Sequence, residues 1–182
     1  RWREQVWAGL AAIPGRREIL GRVVASLLPQ VDRLGVYLNG WEDVPAGLAD
    51  PRIMVARSQE SGDRGDAGKM FWADEAPGYY LSCDDDILYP PDYAERLVEG
   101  IRSRGGRVVV GCHGVLLLEP VSCYRKDRRV LRFGSALAED TQVHLLGTGA
   151  AAWHAPTLRI SRDAFRVPNM ADVWLAAFGQ EQ

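Results

Sequence analysis

Asp84, Asp85 and Asp86 stand in a row directly after the apolar run Tyr79-Tyr80-Leu81-Ser82-Cys83. Three adjacent carboxylates repel one another, so a neutralising partner is expected, and a hard divalent cation held through oxygen is the usual one. Such an ion keeps open positions for phosphate oxygens and can neutralise a departing diphosphate. The competing reading is a solvated acidic turn ahead of the next helix. Lys69 follows the flexible run Gly65-Asp66-Ala67-Gly68. Its ammonium suits phosphate, and it serves equally well as an exposed lysine opening a helix. Arg16 and Arg17 follow Pro14-Gly15 at a helix start, a natural anion position, with Arg16 the better placed of the two.

The second half of the chain carries Gly147-Thr148-Gly149-Ala150-Ala151-Ala152-Trp153-His154. Small residues let backbone approach a ligand closely, and the Trp153 ring offers a face for a sugar. His154 is a candidate nitrogen ligand, although a single histidine is more often structural; His113 and His144 read as core or loop residues. Asp172 falls in the first turn of a helix, where a carboxylate either acts as a base or simply complements the helix dipole. Glu139-Asp140 is the fallback for the basic role.

The elements that must position these residues follow from periodicity. Gln5 to Ile13 reads as a strand closed by Pro14-Gly15, and Leu20, Val23, Val24, Leu27 and Leu28 recur at helical spacing up to Pro29. Strands are expected over 34–40, 52–56, 78–83 and 107–111. A helix started by Pro90-Pro91 carries Tyr93, Leu97 and Ile101 on its apolar face. The β-α-β opening implies a parallel sheet, with the triplet at the C-terminal edge of a strand, where open α/β sheets bind ligands. Beyond residue 111 the pattern becomes loop-rich and antiparallel, with strands over 115–118, 129–133 and 143–146 and a last helix over 170–178 capped by Asn169.

The chain has 182 residues, 47% hydrophobic and 25% charged, which suits one globular domain with a sizeable core. With 22 basic and 24 acidic residues the formal charge is −2, so no global field attracts nucleic acid. Cys83, Cys112 and Cys123 are an odd number without the spacing of a zinc or redox motif, which fits a reducing compartment. No apolar run approaches the roughly 20 residues of a membrane span, and Arg1-Trp2-Arg3-Glu4 does not resemble a signal peptide. The lack of an initiator Met and an ending at Gln180-Glu181-Gln182, within a helical pattern, are expected of a piece of a longer chain.

Ala12-Ile13-Pro14-Gly15-Arg16, Val36-Tyr37-Leu38-Asn39, Gly65-Asp66-Ala67-Gly68-Lys69 and Tyr80-Leu81-Ser82-Cys83-Asp84-Asp85-Asp86-Ile87-Leu88-Tyr89-Pro90-Pro91-Asp92-Tyr93, in that order, resemble the donor-site segments of GT-A glycosyltransferases, especially the bacterial family-2-like group. The resemblance implies an α/β fold: a GT-A (Rossmann-like) three-layer sandwich with a mainly parallel central sheet, residues 1–182 forming one catalytic domain. Its donor half would be 1–110 and its acceptor half 111–182. It implies a nucleotide-sugar donor, UDP-linked by preference, a carbohydrate or glycolipid acceptor, and Mn2+ or Mg2+. By the same resemblance Ile13, Pro14 and Arg16 line the base and ribose, Asn39 forms another base-side wall, and Lys69 holds the nucleotide or diphosphate. Asp84 faces the ribose. Asp86 ligates the metal by its Asp-x-Asp spacing, with Asp85 as second choice for metal or nucleotide, and His154 is a further ligand. Asp172 is then the base of an inverting transfer, although Ala171 stands where the family more often has a second acid.

The expected location is the cytoplasm, at most peripheral to the inner membrane face. A haloacid-dehalogenase-like, magnesium-dependent phosphatase is the alternative enzyme, but its acidic motif normally ends the first strand. A GT-A domain reduced to sugar binding is the non-catalytic alternative.

Overall fold

A computed structural model describes residues 4–181; the N-terminal residues Arg1 to Arg3 and the last residue, Gln182, lie outside the described residues. In chain order the elements are β1 (Val6–Ala12), α1 (Arg17–Leu27), β2 (Arg33–Leu38), β3 (Ile53–Arg57), α2 (Ser58–Ser61), β4 (Tyr79–Asp84), α3 (Tyr93–Arg102), β5 (Val110–Gly111), β6 (Gly114–Leu117), β7 (Arg128–Leu131), β8 (Leu145–Leu146), β9 (Ala150–His154) and α4 (Ala171–Gln180). Short 3₁₀ turns fill several connections, notably Pro14–Arg16 and Gly65–Met70.

The main sheet has six strands in the order β3-β2-β1-β4-β9-β5, and a separate sheet has the order β7-β6-β8. The pairs β1–β2, β1–β4 and β2–β3 are parallel, whereas β9 runs antiparallel to both β4 and β5. The fold is therefore α/β with a mixed, mostly parallel sheet. Strand order reverses at β1: the chain goes outward to β2 and β3, then returns to the other side as β4. Crevices at such a reversal, outside the C-terminal strand ends, are where open α/β sheets take ligands.

Period-2 alternation explains the layers. Val6, Ala8, Leu10 and Ala12 of β1, with Tyr79, Leu81 and Cys83 of β4, face the apolar stripes of α1 (Leu20, Val23, Val24, Leu27) and α3 (Leu97, Val98, Ile101). On the opposite face Tyr37, Met70, Trp72, Tyr80, Trp153 and Leu175 form a second cluster. That second layer consists largely of 3₁₀ turns and aromatic side chains, with α4 as its only helix of eight residues or more among the described residues. No helix among them is long and apolar enough to cross a membrane.

The antiparallel second half is joined to the first through the main sheet. β9 inserts into the main sheet next to β4, so Ala150 to Trp153 are core and Trp153 is fully buried, unable to offer its ring to a sugar. Pro90 and Pro91 precede α3, which begins only after Asp92. Asn169 takes a left-handed φ of 58° rather than capping α4. The cap comes from Asp66, whose Oδ2 accepts from the Ala171 N–H at 3.1 Å.

Gly9 shows how tightly the site is backed. A β-carbon there would lie 2.1 Å from the Lys69 carbonyl oxygen and 2.1 Å from the Tyr80 hydroxyl, which itself donates to that carbonyl at 2.5 Å. Backbone cannot yield as a side-chain tip can. Gly9→Ala is expected to cost about 3 kcal/mol or more, a fall in Tm of roughly 6–12 °C for a chain of this size. Thermal denaturation checks it, and an unchanged Tm would mean that the Lys69 turn packs less closely on β1.

Candidate functional site

The ends of β1 and β4 open onto a cleft of about 670 Å3, lined among others by Ile13, Arg16, Asn39, Lys69, Asp84, Asp85, Asp86, Thr148 and Asp172. The triplet alternates in direction, as an extended segment requires. Asp85 is turned inward and only 2% exposed: its Oδ2 accepts from the Ile13 N–H at 3.2 Å, and its Oδ1 accepts from Arg16 Nη1. Arg16 Nη2 lies 3.0 Å from Asp86 Oδ2. Hydrogen bonding to Asp85 raises the Arg16 pKa further above its ordinary value, so the guanidinium stays charged. Asp84 pairs with Lys69 Nζ, and that lysine is 4% exposed.

Arg16 and Lys69 are thus the neutralising partners of the triplet, supplied by the chain itself across 69 and 15 residues of sequence. Their number still falls short. Asp63, Asp66, Asp84, Asp85, Asp86 and Asp172 line the cleft against two fixed cations, Arg16 and Lys69. A phosphate-bearing ligand would meet net negative charge unless a further cation accompanied it.

Two hubs hold this arrangement. Tyr89 accepts from the Asp84 N–H at 2.7 Å and donates to the Gly149 carbonyl at 2.5 Å, locking the end of β4 to the start of β9. Burial pushes its phenol well above the usual tyrosine range, so it remains a donor. Thr148 is the second hub: its N–H and Oγ1 both donate to Asp172 Oδ1 at 2.7 Å, and Lys69 Nζ lies 3.5 Å from its Oγ1. Asp172 Oδ2 has no hydrogen-bond partner among the described residues. Gly149 permits close contact, because a β-carbon there would sit 2.2 Å from Asp84 Oδ2. Cys83, just before the triplet, is a core thiol pushed up to about 12 by burial and offers no nucleophile.

Several expectations from sequence need correction. His154 lies at the far edge of the sheet: antiparallel pairing puts it beside Tyr79, the first residue of β4, while Ala150 pairs with Cys83. About five strand residues, roughly 17 Å, separate it from the triplet, and its nitrogens face Thr157 and Glu4. It is not a ligand of this cleft. Asp85 has both oxygens committed, so it fastens the β1 loop rather than holding a metal or nucleotide, and Arg16 orders the triplet rather than waiting for phosphate. Asn39 reaches the cleft with its amide spent on the loop, donating to the Gly65 carbonyl at 2.8 Å and accepting from the Arg64 N–H at 3.4 Å. Pro14 opens the 3₁₀ turn and is exposed outside the cleft lining. Arg17 turns away to Asp43. Glu139 and Asp140 are exposed loop residues, with Asp140 paired to Arg104.

Sequence reasoning missed Thr148, Asp63, Asp66, His113 and Phe133, all in the cleft lining. Among the described residues no group of three or more histidine, cysteine, aspartate or glutamate side chains is arranged to hold a metal by itself. A magnesium-like ion needs less than that, since it takes one or two carboxylates and completes its shell with water and substrate phosphates. Asp86 fits: its side chain is 43% exposed and one of its oxygens pairs with Arg16. No protein-family model matches the chain, and no curated protein shows significant similarity to it.

Proposed function

We propose that this chain is a GT-A-type glycosyltransferase domain that takes a nucleotide-sugar donor, UDP-linked by preference, together with Mn2+ or Mg2+, and passes the sugar to a hydroxyl acceptor. One observation carries the reading: an excess of carboxylates, one of them exposed, meets a buried lysine and an unpaired Asp172 oxygen in a single cleft at the reversal of strand order. In this reading the exposed side chain of Ile13 lies under the base, and Asp84 faces the ribose. Lys69 holds Asp84 in place and contributes positive charge toward the diphosphate. Asp86 would hold the metal, which when bound supplies positive charge against the leaving diphosphate. Asp172 accepts the proton of the acceptor hydroxyl through Oδ2, its orientation fixed by Thr148.

The phosphatase alternative would need Asp84 as an attacking carboxylate. That carboxylate is paired with Lys69, and the motif follows the fourth strand of the chain rather than the first.

Calorimetric titration with UDP, GDP and CMP, with and without manganese, tests the proposal. One nucleotide is expected to bind in the presence of metal. Chelation or Asp86→Ala should weaken it at least about tenfold, or about 1.4 kcal/mol, whereas an exposed alanine at position 86 leaves the fold intact. Absence of metal-dependent binding to all three nucleotides would sink the reading.

A further inference from the structure

The geometry points to a sugar-ring platform formed by Phe133 and His113, which receives the acceptor as a neutral pyranoside; this rests on the donor cleft proposed above. The two rings stack with centroids 5.2 Å apart and planes inclined by 26°. Both line the same cleft as the acidic triplet and Asp172. With His113 against one of its faces, Phe133 remains 52% exposed. A large aromatic ring left that open inside a polar cleft, rather than folded into the core, is surface available for a ligand.

Its position along the cleft favours the acceptor over the base of the donor. His113 rests on the turn that leads into β9: a β-carbon on Gly147 would meet His113 Cδ2 at 2.6 Å, and the Gly147 N–H donates to the His113 carbonyl at 2.9 Å. The next residue, Thr148, is the one that orients Asp172. The platform and the candidate base are therefore built on consecutive residues of one turn, while Ile13 and Asn39 belong to the ends of β1 and β2 on the other side of β4.

The chemistry of the surroundings narrows the ligand. A pyranoside presents an apolar C–H face to an aromatic ring and hydroxyl donors at its edge, and the carboxylates of the cleft are acceptors for those donors. Six carboxylates in the lining disfavour an anionic sugar such as a uronate. His113 Nδ1 is buried without a hydrogen-bond partner among the described residues, and the ring packs on Phe133.

Saturation-transfer NMR with methyl β-D-galactopyranoside, methyl β-D-glucopyranoside and methyl β-D-glucuronide tests this, in parallel with UDP calorimetry in manganese. Saturation is expected to reach the C–H protons of one face of a neutral glycoside, with a weaker signal from the glucuronide. Phe133→Ala should reduce the signal at least about fivefold and Phe133→Trp should retain it, both with UDP affinity unchanged. An undiminished signal in Phe133→Ala, a preference for the glucuronide, or no transfer to either neutral glycoside would overturn the platform. Glycoside transfer without nucleotide binding would leave the platform standing and remove the donor reading; nucleotide binding without glycoside transfer would do the reverse.

Discussion

Asp172→Asn is expected to lower the rate of nucleotide release from the donor about 10²–10⁴-fold, the usual contribution of a positioned base, while leaving nucleotide affinity unchanged. The substitution is selective for a structural reason. An asparagine carbonyl can still accept from the Thr148 N–H and Oγ1, the two bonds that Asp172 Oδ1 makes. The start of α4 is capped by Asp66 and does not depend on Asp172. The stability change should therefore stay within the ~0.3–1 kcal/mol of a lost carboxylate–dipole interaction. Asp172→Ala, by contrast, leaves Thr148 without its acceptor and should loosen the Gly147–Gly149 turn as well. The check is kcat for nucleotide release with the donor that calorimetry selects, alongside a thermal melt. Full turnover in the asparagine variant would reduce Asp172 to a support for Thr148.

The side of the cleft built by β1 and β4 was legible because its signals are local. Alternating apolar residues and the Pro14-Gly15 break mark β1, and the run from Tyr79 into three aspartates marks a strand whose end must face solvent or a counter-charge. The side built around β9 was not legible in the same way. Ala150-Ala151-Ala152 has none of the β-branched or aromatic enrichment that betrays a strand, yet it forms the central β9, flanked by β4 and β5. Once β9 runs antiparallel, its first residues face the triplet and its last face away. That inversion moved His154 out of the site and Thr148 into it, and strand direction is a long-range property that no short window contains.

Three adjacent carboxylates need counter-charge whatever the fold, but which side chains supply part of it is decided by folding. Arg16 and Lys69 reach the triplet from β1's loop and from a 3₁₀ turn. His113 and Phe133 were equally hidden. They lie twenty residues apart and stack only because β6 and β7 pair, with Gly114 opposite Leu131.

Lys69 and Asp84 allow stability and binding to be separated. Asp84→Ala is expected to destabilise the fold by about 1–3 kcal/mol, because it leaves the Lys69 ammonium, 4% exposed, without the carboxylate that joins it to the cleft, with only Thr148 Oγ1 at 3.5 Å left to receive it. Adding Lys69→Met replaces that ammonium with an apolar chain of similar reach, so the double variant should recover at least about 1 kcal/mol of the loss. Urea denaturation of wild type, both single variants and the double variant measures the coupling directly. Nucleotide binding should follow a different pattern: lost in Asp84→Ala and still absent in the double variant, because a methionine thioether supplies neither charge to the diphosphate nor a contact to the ribose. A double variant that regained both stability and binding would make the pair a structural one. If Asp84→Ala cost nothing, the lysine would have found solvent and the cleft would be more open than its burial indicates. Recovery of stability alone is the expected result, since an ion pair that opens onto the cleft through Asp84 and that an apolar pair can replace is best explained by the ligand it faces.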